Sequence, residues 1–253
     1  MTEFADINGV RTAYLEEGSG RDMVLLHGWG QNKEMMQAVF DHFKDRFHVV
    51  SIDFPGFGES DDPPEAWGVP DYEKHLEGFV RQLGLRNMIL IGHSFGCRVA
   101  IRYAADHPEE VYKMCLTGAA GIRDERGIDY YLKVYSYKVG KKILSLKPFE
   151  KLKDKLTANA GSTDYRNASG VMRGTLVKVV NEDLSDLLPY IDVETLLVFG
   201  EKDDVTPVEK GRKMEKLMPD AALVIFENDD HFAYINEAAR FNLVLDAFLR
   251  RDY

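Results

Sequence analysis

Met88-Ile89-Leu90-Ile91-Gly92-His93-Ser94-Phe95-Gly96 is an apolar strand running into G-x-S-x-G, and residues 95–105 beyond it read as a helix stopped by Pro108. A strand that turns into a helix within one residue holds its apex residue in a strained conformation. Only glycine at positions 92 and 96 leaves room for the neighbouring backbone. Ser94 then projects above the strand ends, over a helix N-terminus whose free N–H groups and positive dipole suit a developing oxyanion.

A serine hydroxyl is a weak nucleophile without a base, so the pattern requires a histidine and an orienting carboxylate downstream. The strand at 195–199 ends in Gly200-Glu201-Lys202-Asp203-Asp204-Val205-Thr206-Pro207, where Asp203 and Asp204 both qualify. The strand at 222–226 ends in Glu227-Asn228-Asp229-Asp230-His231, which puts an imidazole at the same edge. Catalytic groups of open parallel sheets collect at that edge. Upstream, the strand at 23–26 runs into His27-Gly28-Trp29-Gly30, whose glycines let backbone approach a substrate and whose amides are candidate oxyanion donors.

The rest of the chain alternates strand and helix. Residues 4–7 and 11–16 flank Asn8-Gly9, a hairpin signal. Further nearly continuous apolar runs lie at 48–52, 87–91 and 112–117, as strands covered on both faces require. Met36, Val39, Phe40 and Phe43 form one helical stripe, Tyr72, Leu76, Phe79, Val80 and Leu83 a second, and residues 237–249 a third. This alternation implies right-handed crossovers and a mostly parallel sheet with helices on both faces. One interval is too long for a crossover, so residues 121–189 read as an inserted helical cap on a core of 1–120 and 190–253, with helices expected at 129–144 and 169–183. Residues 122–189 hold 13 Lys+Arg against 9 Asp+Glu, in a chain whose net charge is -10. Tyr130 and Arg166 in this segment are candidate substrate-binding residues, Arg166 for a substrate carboxylate.

Composition narrows the function classes. A net charge of -10 repels nucleic acid and anionic membrane. No basic-then-apolar leader is visible, and no apolar run approaches the roughly 18 residues of a membrane span, so a soluble cytoplasmic protein is expected. Cys97 and Cys115 lie in or beside apolar segments and read as buried, reduced thiols. The seven histidines form no HExxH and no Cys/His cluster, so no metal and no cofactor is expected.

The order Ser, Asp, His, with a His-Gly loop before them, resembles the α/β-hydrolase superfamily over about residues 10 to 250. Asp53-Phe54-Pro55-Gly56-Phe57-Gly58-Glu59-Ser60 is similar to the family's turn after its fourth strand. The resemblance implies an α/β-hydrolase fold, with Ser94 as nucleophile, His231 as base, Asp203 as its orienter, and the Trp29 and Phe95 N–H groups as oxyanion donors. It implies a cofactor-free serine hydrolase acting on a small-molecule ester, thioester or related acyl compound. The same triad also serves C–C bond hydrolases, lyases and perhydrolases, and a low-turnover ligand sensor would keep the pocket. Serine at position 94 argues against the branches that place aspartate there. Two departures stand out: Cys97 where many members have a second glycine, and Asp230 where glycine usually precedes the histidine, aspartate tolerating unusual backbone angles. Nothing in these motifs sets the oligomeric state.

Overall fold

The computed structural model describes residues 1–123, 163–168 and 170–250. β1 (Glu3–Ile7) and β2 (Val10–Gly18) form the expected hairpin, with Asn8 and Gly9 at φ 53° and 84° in the turn. β3 (Asp22–Leu26), β4 (His48–Ile52), β5 (Met88–His93), β6 (Val111–Thr117), β7 (Glu194–Gly200) and β8 (Ala221–Phe226) run parallel, and β2 joins β4 antiparallel. The sheet order is β1-β2-β4-β3-β5-β6-β7-β8.

Side chains alternate across each strand, which divides the core in two. Val24, Leu26, Leu90, Leu116 and Phe199 face α2 (Val69–Leu83) and α3 (Phe95–Asp106). Met23, Leu25, Ile89, Ile91 and Val198 face α1 (Gln37–Phe43) and the C-terminal helix. The stripe Tyr72, Leu76, Phe79 and Val80 is buried as the periodicity requires, and Gly84 at φ 71° ends α2 with a left-handed cap. β8 departs from expectation: as the edge strand it is only half covered.

Within the inserted segment α4 (Thr163–Asn167) and α5 (Gly170–Asn181) are described, the latter slightly shorter than the predicted 169–183. The predicted helix at 129–144 lies outside the described residues. Leu184 N–H donates to the Gly121 carbonyl at 2.8 Å, so the two ends of the insertion meet. α5 docks on the core where Trp67 N–H donates to Thr175 Oγ1 at 3.0 Å and Met172 packs over Gly56. After β7 come α6 (Val208–Leu217), α7 (Ala233–Asn236) and α8 (Ala238–Leu249). α6 carries no continuous apolar stripe, because one of its three buried positions is Gly211, pressed against the Phe199 ring.

β3 lies between β4 and β5, so the chain leaves β3 toward one side and returns on the other. The loops after β3 and β5 therefore part at the C-terminal edge and leave a crevice there.

Candidate active site

Ser94 occupies the turn between β5 and α3 at φ 49° and ψ -103°, a strained conformation for any residue with a side chain. Its N–H donates to the Thr117 carbonyl at the end of β6 (3.1 Å), and its own carbonyl accepts from Cys97 N–H (3.2 Å). The glycine requirement is borne out by geometry. A Cβ on Gly92 would lie 2.9 Å from Cys97 N, and one on Gly96 would lie 2.1 Å from the Leu26 carbonyl oxygen. α3 thus starts directly against the end of β3.

The loops after β7 and β8 cross at Gly200, where a Cβ would meet the Asp230 carbonyl oxygen at 2.1 Å. Glu201 N–H to Phe226 O (2.9 Å), Lys202 N–H to Asp229 O (2.7 Å) and Asn228 N–H to Glu201 Oε2 (2.9 Å) bind them together. The crossing brings Asp203 Oδ2 to 2.7 Å from His231 Nδ1, with both residues buried, and leaves Asp204 exposed. Asp203 Oδ1 accepts from Val205 and Thr206 N–H (2.9 and 2.8 Å), and Oδ2 also accepts from Thr206 Oγ1 (2.7 Å). Burial alone would raise the Asp203 pKa, but the bonds from His231 and Thr206 prevail and hold it below the ordinary aspartate value. The carboxylate is an acceptor only, so His231 Nδ1 carries a hydrogen toward it, and among the described residues Nε2 meets no partner.

The His27 loop is held by groups that the sequence did not single out. Phe54 N–H donates to His27 Nε2 (3.0 Å) and His27 Nδ1 donates to the Gly28 carbonyl (2.7 Å). Burial lowers the His27 pKa to about 4, so this neutral tautomer persists. Gln31 Oε1 accepts from Gly28 N–H (2.8 Å) and lies 3.1 Å from His93 Nδ1, while His93 Nε2 lies 3.0 Å from the His231 carbonyl oxygen. His93 therefore spans from this loop to the histidine loop. Among the described residues neither Trp29 N–H nor Phe95 N–H meets an acceptor.

Trp29, Ser94 and Phe95 line one cavity of about 250 Å³. A second, of about 620 Å³, shares Trp29 with the first and is also lined by Gln31, Met35, Phe57, Met172 and Phe232. Arg166 is exposed and lines neither, and Tyr130 lies outside the described residues. Gly118, Thr206, His93 and Gln31 escaped the sequence reading. The glycine directly after a strand that neighbours the elbow strand was the one available signal. Gly118 stands at φ 50°, and a Cβ there would press on the His231 ring at 3.0 Å.

Of the two departures, Cys97 is fully buried inside α3 and Cys115 in β6, both free thiols as expected. The unusual angle expected at Asp230 falls instead at Asn228, φ 64°. Asp230 is exposed, and its Oδ1 accepts from Phe232 N–H and Asn236 Nδ2 (both 2.9 Å). It braces the turn that follows His231.

Among the described residues no helix is long and apolar enough to cross a membrane. Residues 23–138 match the family described as alpha/beta hydrolase fold, and residues 177–252 the one described as TAP-like protein. The chain is 28% identical over 262 residues to the AB hydrolase superfamily protein YisY of Bacillus subtilis, covering 94% of this chain and 95% of that one. It is 26% identical over 247 residues to the pimeloyl-[acyl-carrier protein] methyl ester esterase of Legionella pneumophila, covering 93% and 98%. The esterase of Exiguobacterium antarcticum superposes with a TM-score of 0.77 at 25% identity, covering 99% and 100%. With a strained serine at the crevice of a mostly parallel sheet and family matches over residues 23–138 and 177–252, the chain belongs to the α/β-hydrolase superfamily.

Proposed function

We propose that this protein is a cofactor-free serine hydrolase that cleaves a small ester or thioester through an acyl-enzyme. The observation that carries this reading is the His231–Asp203 pair, with Nδ1 held and Nε2 bare, at the same sheet edge as the strained Ser94. Ser94 Oγ attacks the carbonyl carbon while its proton passes to His231 Nε2. The Trp29 and Phe95 N–H groups stabilise the oxyanion, and the tetrahedral species expels the leaving group, which takes the proton from His231. Water then gives a proton to His231 and attacks the acyl group. The acid departs and the proton returns to Ser94. The esterase names among the relatives support an ester as the bond cleaved.

A fluorophosphonate should label one serine per chain, Ser94, and p-nitrophenyl esters should turn over steadily. Ser94→Ala should abolish labelling and lower turnover by about three orders of magnitude or more. Asp203→Asn should be far more damaging to kcat than Asp204→Asn. Wild-type rates in Ser94→Ala would refute the nucleophile, and the reverse ranking of the two asparagine variants would refute the assignment of Asp203.

A further inference from the structure

Arg98 stands four residues after Ser94, in the first turn of α3. It lines the cavity that Ser94 lines, yet only 7% of it is exposed. Its Nη1 donates to the Glu182 carbonyl at 2.9 Å, and among the described residues no carboxylate pairs with it. Glu182 and Asp183 act on the guanidinium from longer range, and Glu182 Oε2 is itself engaged by Val69 N–H at 3.2 Å. Arginine stays charged in such surroundings, and a buried cation without an anionic partner is costly unless something else satisfies it.

Among the described residues, Arg123, Lys210 and one carboxylate, Asp164, also line this cavity. About 250 Å³ holds roughly eight water-sized groups, so an acyl group reaching from Ser94 to Arg98 is short. Arg166, the residue that the sequence suggested for a substrate carboxylate, is exposed and outside the cavity.

We propose that Arg98 receives a carboxylate at the far end of the substrate's acyl group, which makes the substrate an ester or thioester of a short dicarboxylic acid. The proposal rests on the serine-hydrolase reading. The guanidinium fork orients the acyl chain so that its other carbonyl lies over Ser94, and a neutral chain of equal length leaves the buried charge unanswered. This gives the cavity a selectivity that its apolar walls, Leu176 and Val179 among them, would not confer.

The experiment compares a p-nitrophenyl ester of glutaric acid, its far carboxylate free, with p-nitrophenyl pentanoate. The ratio of their kcat/KM values should fall about 10- to 100-fold in Arg98→Met and less in Arg98→Lys. Retained fluorophosphonate labelling shows that each variant is folded. An unchanged ratio in a labelled Arg98→Met would overturn the proposal and leave Arg98 a brace for the Glu182 carbonyl. Should Arg98→Met fail to fold, wild type decides: glutarate, but not glutaramide, should slow labelling of Ser94. Equal protection by both, or by neither, overturns the proposal. Glutarate binding to Ser94→Ala, followed by calorimetry, is independent of turnover. Binding there without any hydrolysis by wild type would refute the hydrolase reading and keep the anion site, whereas hydrolysis without binding would do the opposite.

Discussion

Gly118 shows how one missing Cβ shapes the proposed base. Its neighbour Thr117 accepts the Ser94 N–H, and a Cβ on Gly118 would meet the His231 ring, so the end of β6 supports both the Ser94 turn and the imidazole. Gly118→Ala adds a methyl 3.0 Å from Nδ1 at a φ of 50°. The backbone angle should cost about 1 kcal/mol, read as a lower urea midpoint. A displaced imidazole should lower kcat about 10- to 100-fold. A variant with a lower midpoint and an unchanged kcat would mean that His231 relaxes without losing alignment. Ser94 and Gly118 were legible to different degrees, because G-x-S-x-G is a local pattern, whereas the need for glycine at 118 arises from a ring 113 residues away in the chain.

At the scale of elements, the proposed triad depends on loops that brace one another. The acid loop and the histidine loop cross at Gly200, and Asp230 secures the outer side of the crossing through Phe232 N–H and Asn236 Nδ2. Asp230→Asn keeps an acceptor oxygen and should leave thermal stability within about 0.5 kcal/mol of wild type. Asp230→Ala removes both bonds and should lower it by about 1 kcal/mol. Equal stabilities for the alanine and asparagine variants would remove the bracing role. The sequence suggested a backbone role for Asp230, and the turn does contain a left-handed residue, but Asn228 supplies it. The position of a positive φ within a five-residue loop depends on what the loop must cross.

The whole molecule has a pH dependence built into its core. Burial lowers the pKa of His27 and His75 to about 4 and that of His93 to about 3, against an unfolded value of 6.5. Between about pH 6.5 and 4 the unfolded chain takes up protons at these rings and the folded chain does not, so stability falls with falling pH. Each ring at full weight contributes about 1.4 kcal/mol per pH unit over that interval. His48 works in the opposite direction: burial lowers its pKa, but Asp22 and Glu16 outweigh that and raise it, so its contribution is present at low pH and lost as pH rises through its folded value. The urea midpoint should therefore drop steeply from pH 6.5 to 5, three depressed rings outweighing one raised. A flat profile there would show that the buried rings titrate normally.

By itself the sequence determined the strands, the helix stripes, the hairpin at Asn8-Gly9 and the strand-Gly-x-Ser-x-Gly-helix turn, because each is a matter of neighbours within a few residues: side-chain periodicity, turn propensity and steric room. Only the tertiary structure decided which apolar strand lies beside which. All the parallel strands carry similar apolar runs, and their order follows from pairings between distant segments. That order sets β3 against β5 and so the His27 loop against the Ser94 turn. It likewise sets the loop after β7 beside His231, and within that loop the bonds from Val205 and Thr206 N–H to Oδ1 accompany the turning of Asp203 rather than Asp204 to the ring. It also puts Arg98 in the cavity, because α3 starts at the crevice and carries its fourth residue inward, while Arg166 on α4 is exposed and outside its lining.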